Sequence, residues 1–163
     1  KYLGVDKTTA RAASENDQNY IIYRLADVLL MKAEALIMQG HNEDAADLID
    51  RTRERAGLGE TTLSDDRMVM LETLLVERQK EFFGEGKNWF DLLRIGLRSE
   101  QLNDTQYKTL FVEQALKAVG ASRQSLGRAT LANSGSWYLP YSEDELSKNP
   151  LLEQSDYYQS ISN

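Results

Sequence analysis

Apolar residues recur at helical spacing twice in residues 20–57, with a single break at Gly40. In the first segment they repeat at intervals of three and four residues, and the small side chain of Ala33 permits close approach by a neighbouring helix. Gly40 provides the residue that a helix C-terminus often needs at positive φ, and Asn42 is a suitable N-cap for the next helix. The pattern therefore predicts a helical hairpin with helices near residues 24–39 and 43–56.

A helical hairpin with small residues at its crossing points matches the tetratricopeptide unit of about 34 residues. Counted from Ala26, the small-residue positions of that repeat fall on Ala33, Gly40 and Ala45. The match is partial, because leucine and isoleucine replace the large aromatic residues of the repeat. A lone hairpin cannot bury its apolar faces, so the rest of the chain is expected to cover it.

The same helical spacing predicts three more helices, near residues 65–83, 87–96 and 106–119. Ser64 is the expected N-cap of the first of them, and Gly84 and Gly86 separate it from the second. Residues 122–137 are poor in apolar side chains and rich in serine, glycine and alanine, which predicts a mobile loop. Residues 1–19 lack apolar periodicity, which predicts a loose lead-in.

The C-terminal tail has no sustained apolar period. One helical turn is expected after Ser142, because its spacing to Glu145 is that of a capping box. The sequence therefore predicts an all-α fold of stacked tetratricopeptide-like helical hairpins, two of them formed by the first four helices, with an irregular C-terminal tail.

The composition changes this picture little but excludes some functions. With 163 residues, 41% of them hydrophobic, the chain is expected to form one domain over residues 1–163. A net charge of −7 opposes binding to phosphate backbones, so a nucleic-acid partner is not expected. The chain starts at Lys1 without a methionine or a nearby lipid-attachment cysteine, so we expect a fragment of a longer protein or a product whose N-terminus has been removed.

Charged residues occupy unexpected positions on two apolar helix faces. Arg78 interrupts the apolar stripe of the third helix, while Asp27 and Glu34 lie seven residues apart on one stripe of the first. Buried carboxylates require a counter-charge, so Asp27 or Glu34 is expected to pair with Arg78 or Arg94. A structural ion network is the favoured interpretation, and a catalytic carboxylate pair is the alternative.

Catalytic and metal-binding motifs are scarce. The chain has no cysteine and one histidine, His41 beside the Gly40 turn, so neither a zinc site nor a cofactor is expected. A glycosidase needs two facing carboxylates, and the acidic residues that suggest one are Glu77, Glu81, Glu85 and Asp91. Glu77 and Glu81 lie one turn apart on a helix beside Arg78 and Lys80, a pattern more typical of a solvated face. We therefore expect no enzyme activity.

Two tryptophans are the candidates for stacking on a sugar ring. Trp89 lies on an amphipathic helix and is interpreted as a core residue. Trp137 follows a run of small residues, so it is a weak ligand-binding candidate, although a hydrophobic plug is the favoured interpretation.

Three segments carry a family resemblance. They are RLADVLLMKAEALIMQG at 24–40, ERQKEFFGEGKNWFDLLRIG at 77–96 and YLPYSEDELSKNPLLEQSDYY at 138–158. Together they resemble the C-terminal part of the SusD/RagB family, nutrient-binding lipoproteins of the Bacteroidetes outer membrane. The sequence departs from the family pattern at Asp27, usually glutamate, and at Tyr141, usually proline. Residues 97–137 fall outside the resemblance and are interpreted as an insertion.

The resemblance implies a non-enzymatic function in nutrient uptake and polysaccharide utilisation. The ligand would be an oligosaccharide, or else a peptide, and the partner a SusC-like TonB-dependent transporter. The full-length protein would face the cell surface and be lipid-anchored to the outer membrane outside this chain. The alternative from another class is a tetratricopeptide-type protein-interaction module.

The first helix is apolar almost all round, so it should be covered on more than one side. We expect the isolated chain either to self-associate through this surface or to shield it with residues 97–137. In both cases its glycan binding should be weak or absent.

Overall fold

The computed structural model of the protein describes residues 21–161, and the expected lead-in at 1–19 lies outside them. The described part is all-α without a strand, which confirms the predicted fold class. A short 3₁₀ helix, Ser134–Trp137, accompanies the α-helices, which are α1 Leu25–Gln39, α2 Asn42–Arg55, α3 Arg67–Glu81, α4 Asn88–Leu102, α5 Thr105–Leu116, α6 Ala121–Leu131, α7 Glu143–Lys148 and α8 Asp156–Ile161.

Helices α1 and α2 form the predicted hairpin, with Ala33 and Ala45 fully buried. Gly40 has a φ of 83°, and the His41 N–H donates to the Leu36 carbonyl at 2.9 Å, which ends α1. Asn42 is not the N-cap that was expected. It is the first residue of α2, and its side-chain amide donates to the Ser64 carbonyl at 2.8 Å, tying the hairpin to the approach to α3.

Helix α3 packs on α1 and α2. Its N-cap is Asp66 rather than Ser64, because the Asp66 carboxylate accepts a hydrogen bond from the Met68 N–H at 2.7 Å. After α3 the chain turns through Gly84 and Gly86, both at positive φ, and enters α4. The two glycines therefore separate the helices as predicted.

Helix α4 continues past Gly96, where the sequence pattern had ended it. A β-carbon at Gly96 would lie 3.0 Å from the rings of both Phe111 and Trp137. The glycine is therefore a close-packing position inside the helix and not a terminator. Through it α4 packs closely against α5, which is its most extensive neighbour.

The expected mobile loop at 122–137 is instead mostly α6 followed by the 3₁₀ helix. No residue of α6 is buried, so the helix carries no apolar stripe that the sequence pattern could show. It contacts α5 through Arg128, which forms two hydrogen bonds with Glu113, one of them 2.9 Å long, and through Gly127, where a β-carbon would lie 2.5 Å from Leu116.

The C-terminal tail contains two short helices. Ser142 accepts a hydrogen bond from the Glu145 N–H at 3.2 Å, which confirms the predicted capped turn at α7. Helix α8 was not expected, and the Tyr158 hydroxyl donates to the Tyr138 carbonyl at 2.7 Å. None of the helices in residues 21–161 is both long enough and apolar enough to cross a membrane.

Candidate functional site

The centre of the molecule contains a buried arginine between two carboxylates. The Arg78 guanidinium on α3 donates to both oxygens of Asp91 on α4, each at 2.8 Å, and to Asp27 on α1 at 2.9 Å. All three side chains are almost fully buried. One cation therefore joins three helices, and the bidentate geometry with Asp91 offsets the cost of burying the charges.

A second ion cluster lies one to two turns further along α1 and α4. Glu34 accepts hydrogen bonds from Arg94 at 2.7 Å and from Arg98 at 2.8 Å. Arg94 also reaches Asp91 at 3.1 Å, which joins this cluster to the Arg78 cluster. The structure thus brings together the four residues that the sequence marked, Asp27, Glu34, Arg78 and Arg94.

Lys87 completes the arrangement at the start of α4. Its ammonium group binds Asp27, donates to the Ile22 carbonyl at 2.6 Å, and lies 4.8 Å from the centre of the Tyr23 ring. An open cleft of about 340 Å³ lies above these groups. We call it the α1–α4 cleft, and its walls are formed by Ile22, Tyr23, Met31 and Phe90.

Two of the buried carboxylates, Glu34 and Asp27, are held in the charged form. Burial alone would raise the pKa of Glu34, but hydrogen bonds from Arg94 and the charges of Arg94 and Arg98 lower it below its ordinary value. Burial likewise opposes ionisation of Asp27, and the hydrogen bonds from Lys87 and Arg78 outweigh it, so the pKa of Asp27 is also lowered. The same contacts raise the pKa of Arg94 against the effect of its own burial.

The four carboxylates that suggested a glycosidase all pair with arginines. Asp91 binds Arg78, as described above, and the others follow the same pattern: Glu77 with Arg53 at 3.2 Å, Glu81 with Arg55 at 2.6 Å and Glu85 with Arg24 at 3.0 Å. This arrangement is that of an ion network between helices. Among the described residues, no group of three acidic, histidine or cysteine side chains is placed to hold a metal ion.

The two tryptophans and the histidine lie away from the α1–α4 cleft. Trp137 is buried, and its indole N–H donates to the Leu131 carbonyl at 2.9 Å. It fills the space beside Gly96, and a ligand role for it stays an untested prediction. The expectation of a core position for Trp89 is wrong, because 39% of the residue is exposed and its ring contacts Phe111 edge-on. His41 is exposed at the turn between α1 and α2.

Comparison with known proteins identifies the family to which these motifs belong. The model of the SusD family matches residues 1–158. The chain belongs to the SusD family. Two SusD-like proteins of Formosa agariphila illustrate the likeness: P38 is 37% identical over 89 residues, and P2 is 36% identical over 113 residues. These alignments include 50% and 61% of the present chain, but only 18% and 21% of the relatives.

Solved structures of the superfamily share the fold. A SusD superfamily protein from Bacteroides fragilis superposes with a TM-score of 0.61 and 29% identity, covering 84% of this SusD-family chain and 28% of the other. One from Bacteroides vulgatus gives 0.55 and 31%, covering 82% and 26%. The chain therefore spans about a quarter or less of the proteins to which it is similar.

Several residues of the site were not assigned to it from the sequence. Asp91 and Arg98 share one face of α4 with Arg94, which the sequence had assigned, because the three are spaced by three and four residues; that spacing was the available signal. Lys87, Tyr23 and Phe90 gave no such signal, because they meet only after α1 and α4 have packed.

Proposed function

We propose that this chain is the helical part of a protein that captures nutrients at the outer-membrane surface. The ligand is a glycan or, less favoured, a peptide, and the protein acts without catalysis beside a SusC-like TonB-dependent transporter. The full-length protein is lipid-anchored and faces the cell exterior. Membership of a nutrient-binding family supports this proposal.

The observation that carries the proposal is the way in which two of the family-like segments meet. Asp27 belongs to segment 24–40, and Arg78 and Asp91 belong to segment 77–96. The motif residues thus join helices, which supports a binding function rather than a catalytic one. A rigid helical body that presents a cleft and an outer surface suits a binding protein better than an enzyme.

Affinity electrophoresis on a panel of polysaccharides, run beside a pull-down with a SusC-like transporter, tests the proposal. Retardation by at least one glycan, weak for this isolated chain and stronger for the full-length protein, and retention by the transporter are the expected results. Failure of both would contradict the proposal.

A tetratricopeptide-type interaction module is the second candidate. The observation in its favour is an apolar stripe of exposed residues on the outer face of α1, formed by Leu25, Val28 and Met31. A protein partner that binds this stripe, with no glycan retained in the electrophoresis, would favour the interaction module.

A further inference from the structure

The α1–α4 cleft has hydrogen-bond donors to spare but few free acceptors. Asp27 accepts from Arg78 and Lys87, and Asp91 accepts from Arg78 and Arg94. In contrast, Nη1 of the buried Arg78 has no hydrogen-bond partner in the described part of the chain. Arg94 bonds its neighbours through Nε and Nη2, and its side chain is 39% exposed. Arg78 Nη1 is itself buried, so Arg94 offers the accessible donor, and a group that binds there must supply acceptor oxygens.

The charges around the cleft favour an anion. Four cationic groups, Arg78, Lys87, Arg94 and Arg98, contact three carboxylates, those of Asp27, Glu34 and Asp91. Arg98 does not line the cleft, so the one positive charge in surplus belongs to the ion network as a whole, in a chain whose net charge is −7. Glu85 also lines the cleft, and its carboxylate is balanced by Arg24 at 3.0 Å. A carboxylate is the complementary ligand, since guanidinium groups bind it with charge-assisted hydrogen bonds.

The walls of the cleft favour a ligand with flat apolar faces. Tyr23 and Phe90 are each 67% exposed, although both are large aromatic residues. Exposed aromatic rings present broad, rigid surfaces that gain free energy when a partner covers them. A pyranose ring offers such a partner, because its C–H groups form an apolar face while its hydroxyls remain at the edge.

We propose that the α1–α4 cleft binds a sugar residue that carries a carboxylate, a uronic acid. The carboxylate contacts the guanidinium of Arg94 and the floor around Arg78, and the sugar ring packs against Phe90 or Tyr23. This inference rests on the proposed function and narrows its ligand to an acidic glycan. The cleft volume of about 340 Å³ is in the range of small-ligand sites, so it accommodates one or two sugar residues.

Isothermal titration calorimetry with two matched probes tests the charge requirement. The probes are trigalacturonic acid and the same trimer with every carboxylate methyl-esterified, which keeps the rings and removes the charge. We expect weak binding of the acid, at least about tenfold tighter than that of the ester, because the ester cannot form charge-assisted hydrogen bonds. Added salt should reduce this preference.

Paired variants locate the binding. Phe90→Ala should weaken binding of the acid at least about threefold, because a small residue removes the ring contact. Phe83→Ala is the control, since Phe83 is 89% exposed and lies outside the cleft. Arg94→Gln should abolish the preference for the acid over the ester, whereas Arg128→Gln, in the surface pair with Glu113, should keep it. Circular dichroism of each variant verifies its fold. If Arg94→Gln does not fold, Phe90→Ala still tests the site, because Phe90 is exposed and its truncation should leave the fold intact.

Four outcomes overturn the inference. Equal binding of acid and ester would show that the carboxylate is not recognised. Equal effects of Phe90→Ala and Phe83→Ala would show that the ligand does not bind in the α1–α4 cleft. If an acidic peptide binds with the same response to the variants and the sugar acid does not, the ligand of the cleft is a peptide and not a uronic acid. If the protein is retarded by neutral glycans and binds the transporter while ignoring the acid, the inference fails and the proposed function stands.

Discussion

The contacts of Arg78 offset the desolvation cost of its buried positive charge. Its guanidinium is shared by Asp91 and Asp27 and lies over the Phe82 ring at 4.9 Å from the ring centre. The charge is therefore met by carboxylates in the plane of the guanidinium and by the electron-rich ring face outside it. Such a group is hard to replace singly, because the carboxylates would remain buried after the cation had gone.

We expect Arg78→Ala to loosen or unfold the domain. Removing one member of a buried ion pair typically costs about 3–5 kcal/mol of unfolding free energy. Urea denaturation followed by circular dichroism measures the loss. Arg128→Ala, which removes the exposed pair with Glu113, is the control and should change stability little. An unchanged melting temperature for Arg78→Ala, together with the loss of a measured activity, would instead support the catalytic interpretation.

The buried carboxylate of Glu34 makes stability depend on pH. Because the pKa of Glu34 is lower in the folded than in the unfolded chain, its contribution is complete above the unfolded pKa and is lost as pH falls through the folded pKa. The stability difference between the wild type and Glu34→Gln should therefore be largest at neutral pH and shrink below about pH 4. Denaturation curves at several pH values measure it, and a difference that stays constant on acidification would contradict this role.

At the scale of elements, the packing of α4 against α5 requires a glycine at the point of contact. Gly96 sits inside α4, facing Phe111 and Trp137, whose ring centres are 4.3 Å apart. Alanine would normally favour a helix over glycine by about 1 kcal/mol. Here the added methyl group must displace two buried rings, and the crowding is the larger effect.

Gly96→Ala should therefore lower the free energy of unfolding by about 1–2 kcal/mol, since overpacked cores typically lose this much. Thermal and urea denaturation both report the change. Gly59→Ala is the matched control: its β-carbon would meet nothing within 4 Å, and its stability should be unchanged or slightly higher. A more stable Gly96→Ala variant would mean that the rings move apart at little cost.

The elements also show what a sequence can and cannot specify. Arg78, Asp27 and Glu34 were found because each interrupts an apolar helix face, a signal that lies within one helix. The exposure of Trp89 was missed, because burial at that position depends on where α5 docks. Helix α6 was missed because none of its residues is buried, so its amphipathic signal is absent. The end of α4 was misplaced because glycine serves both as a terminator and as a close-packing residue.

For the whole molecule, the sequence left open whether residues 97–137 or a second copy of the chain covers α1. Helix α5 packs on α3 and α4, and α6 packs on α5. Residues 97–137 therefore add Tyr107 and Phe111 to the core but leave Leu25, Val28 and Met31 on α1 exposed. The segment does contact α1, through Arg98 to Glu34 and Tyr107 to Met38, but it does not shield the exposed stripe. Its status as an insertion stays a prediction.

We expect the isolated chain to self-associate through this exposed stripe, because contiguous apolar surface seldom stays open on a stable monomer. Light scattering over a range of concentrations measures the association. The double substitution Leu25→Gln and Val28→Gln should shift the chain towards monomer. Leu126→Gln is the control, as Leu126 is equally exposed on α6 but isolated from the stripe. A concentration-independent monomer before substitution would contradict the expectation.

The distances along the chain between α1 and its cations have a consequence for synthesis. Asp27 meets Arg78 51 residues later, and Glu34 meets Arg94 60 residues later. While the chain emerges from the ribosome, α1 and α2 exist before either arginine, and their carboxylates must remain hydrated. Many helical repeats add stability unit by unit, whereas here the first hairpin should stay open until α4 arrives. Limited proteolysis of nested truncations would show α1 becoming protected only in chains that extend past Arg94.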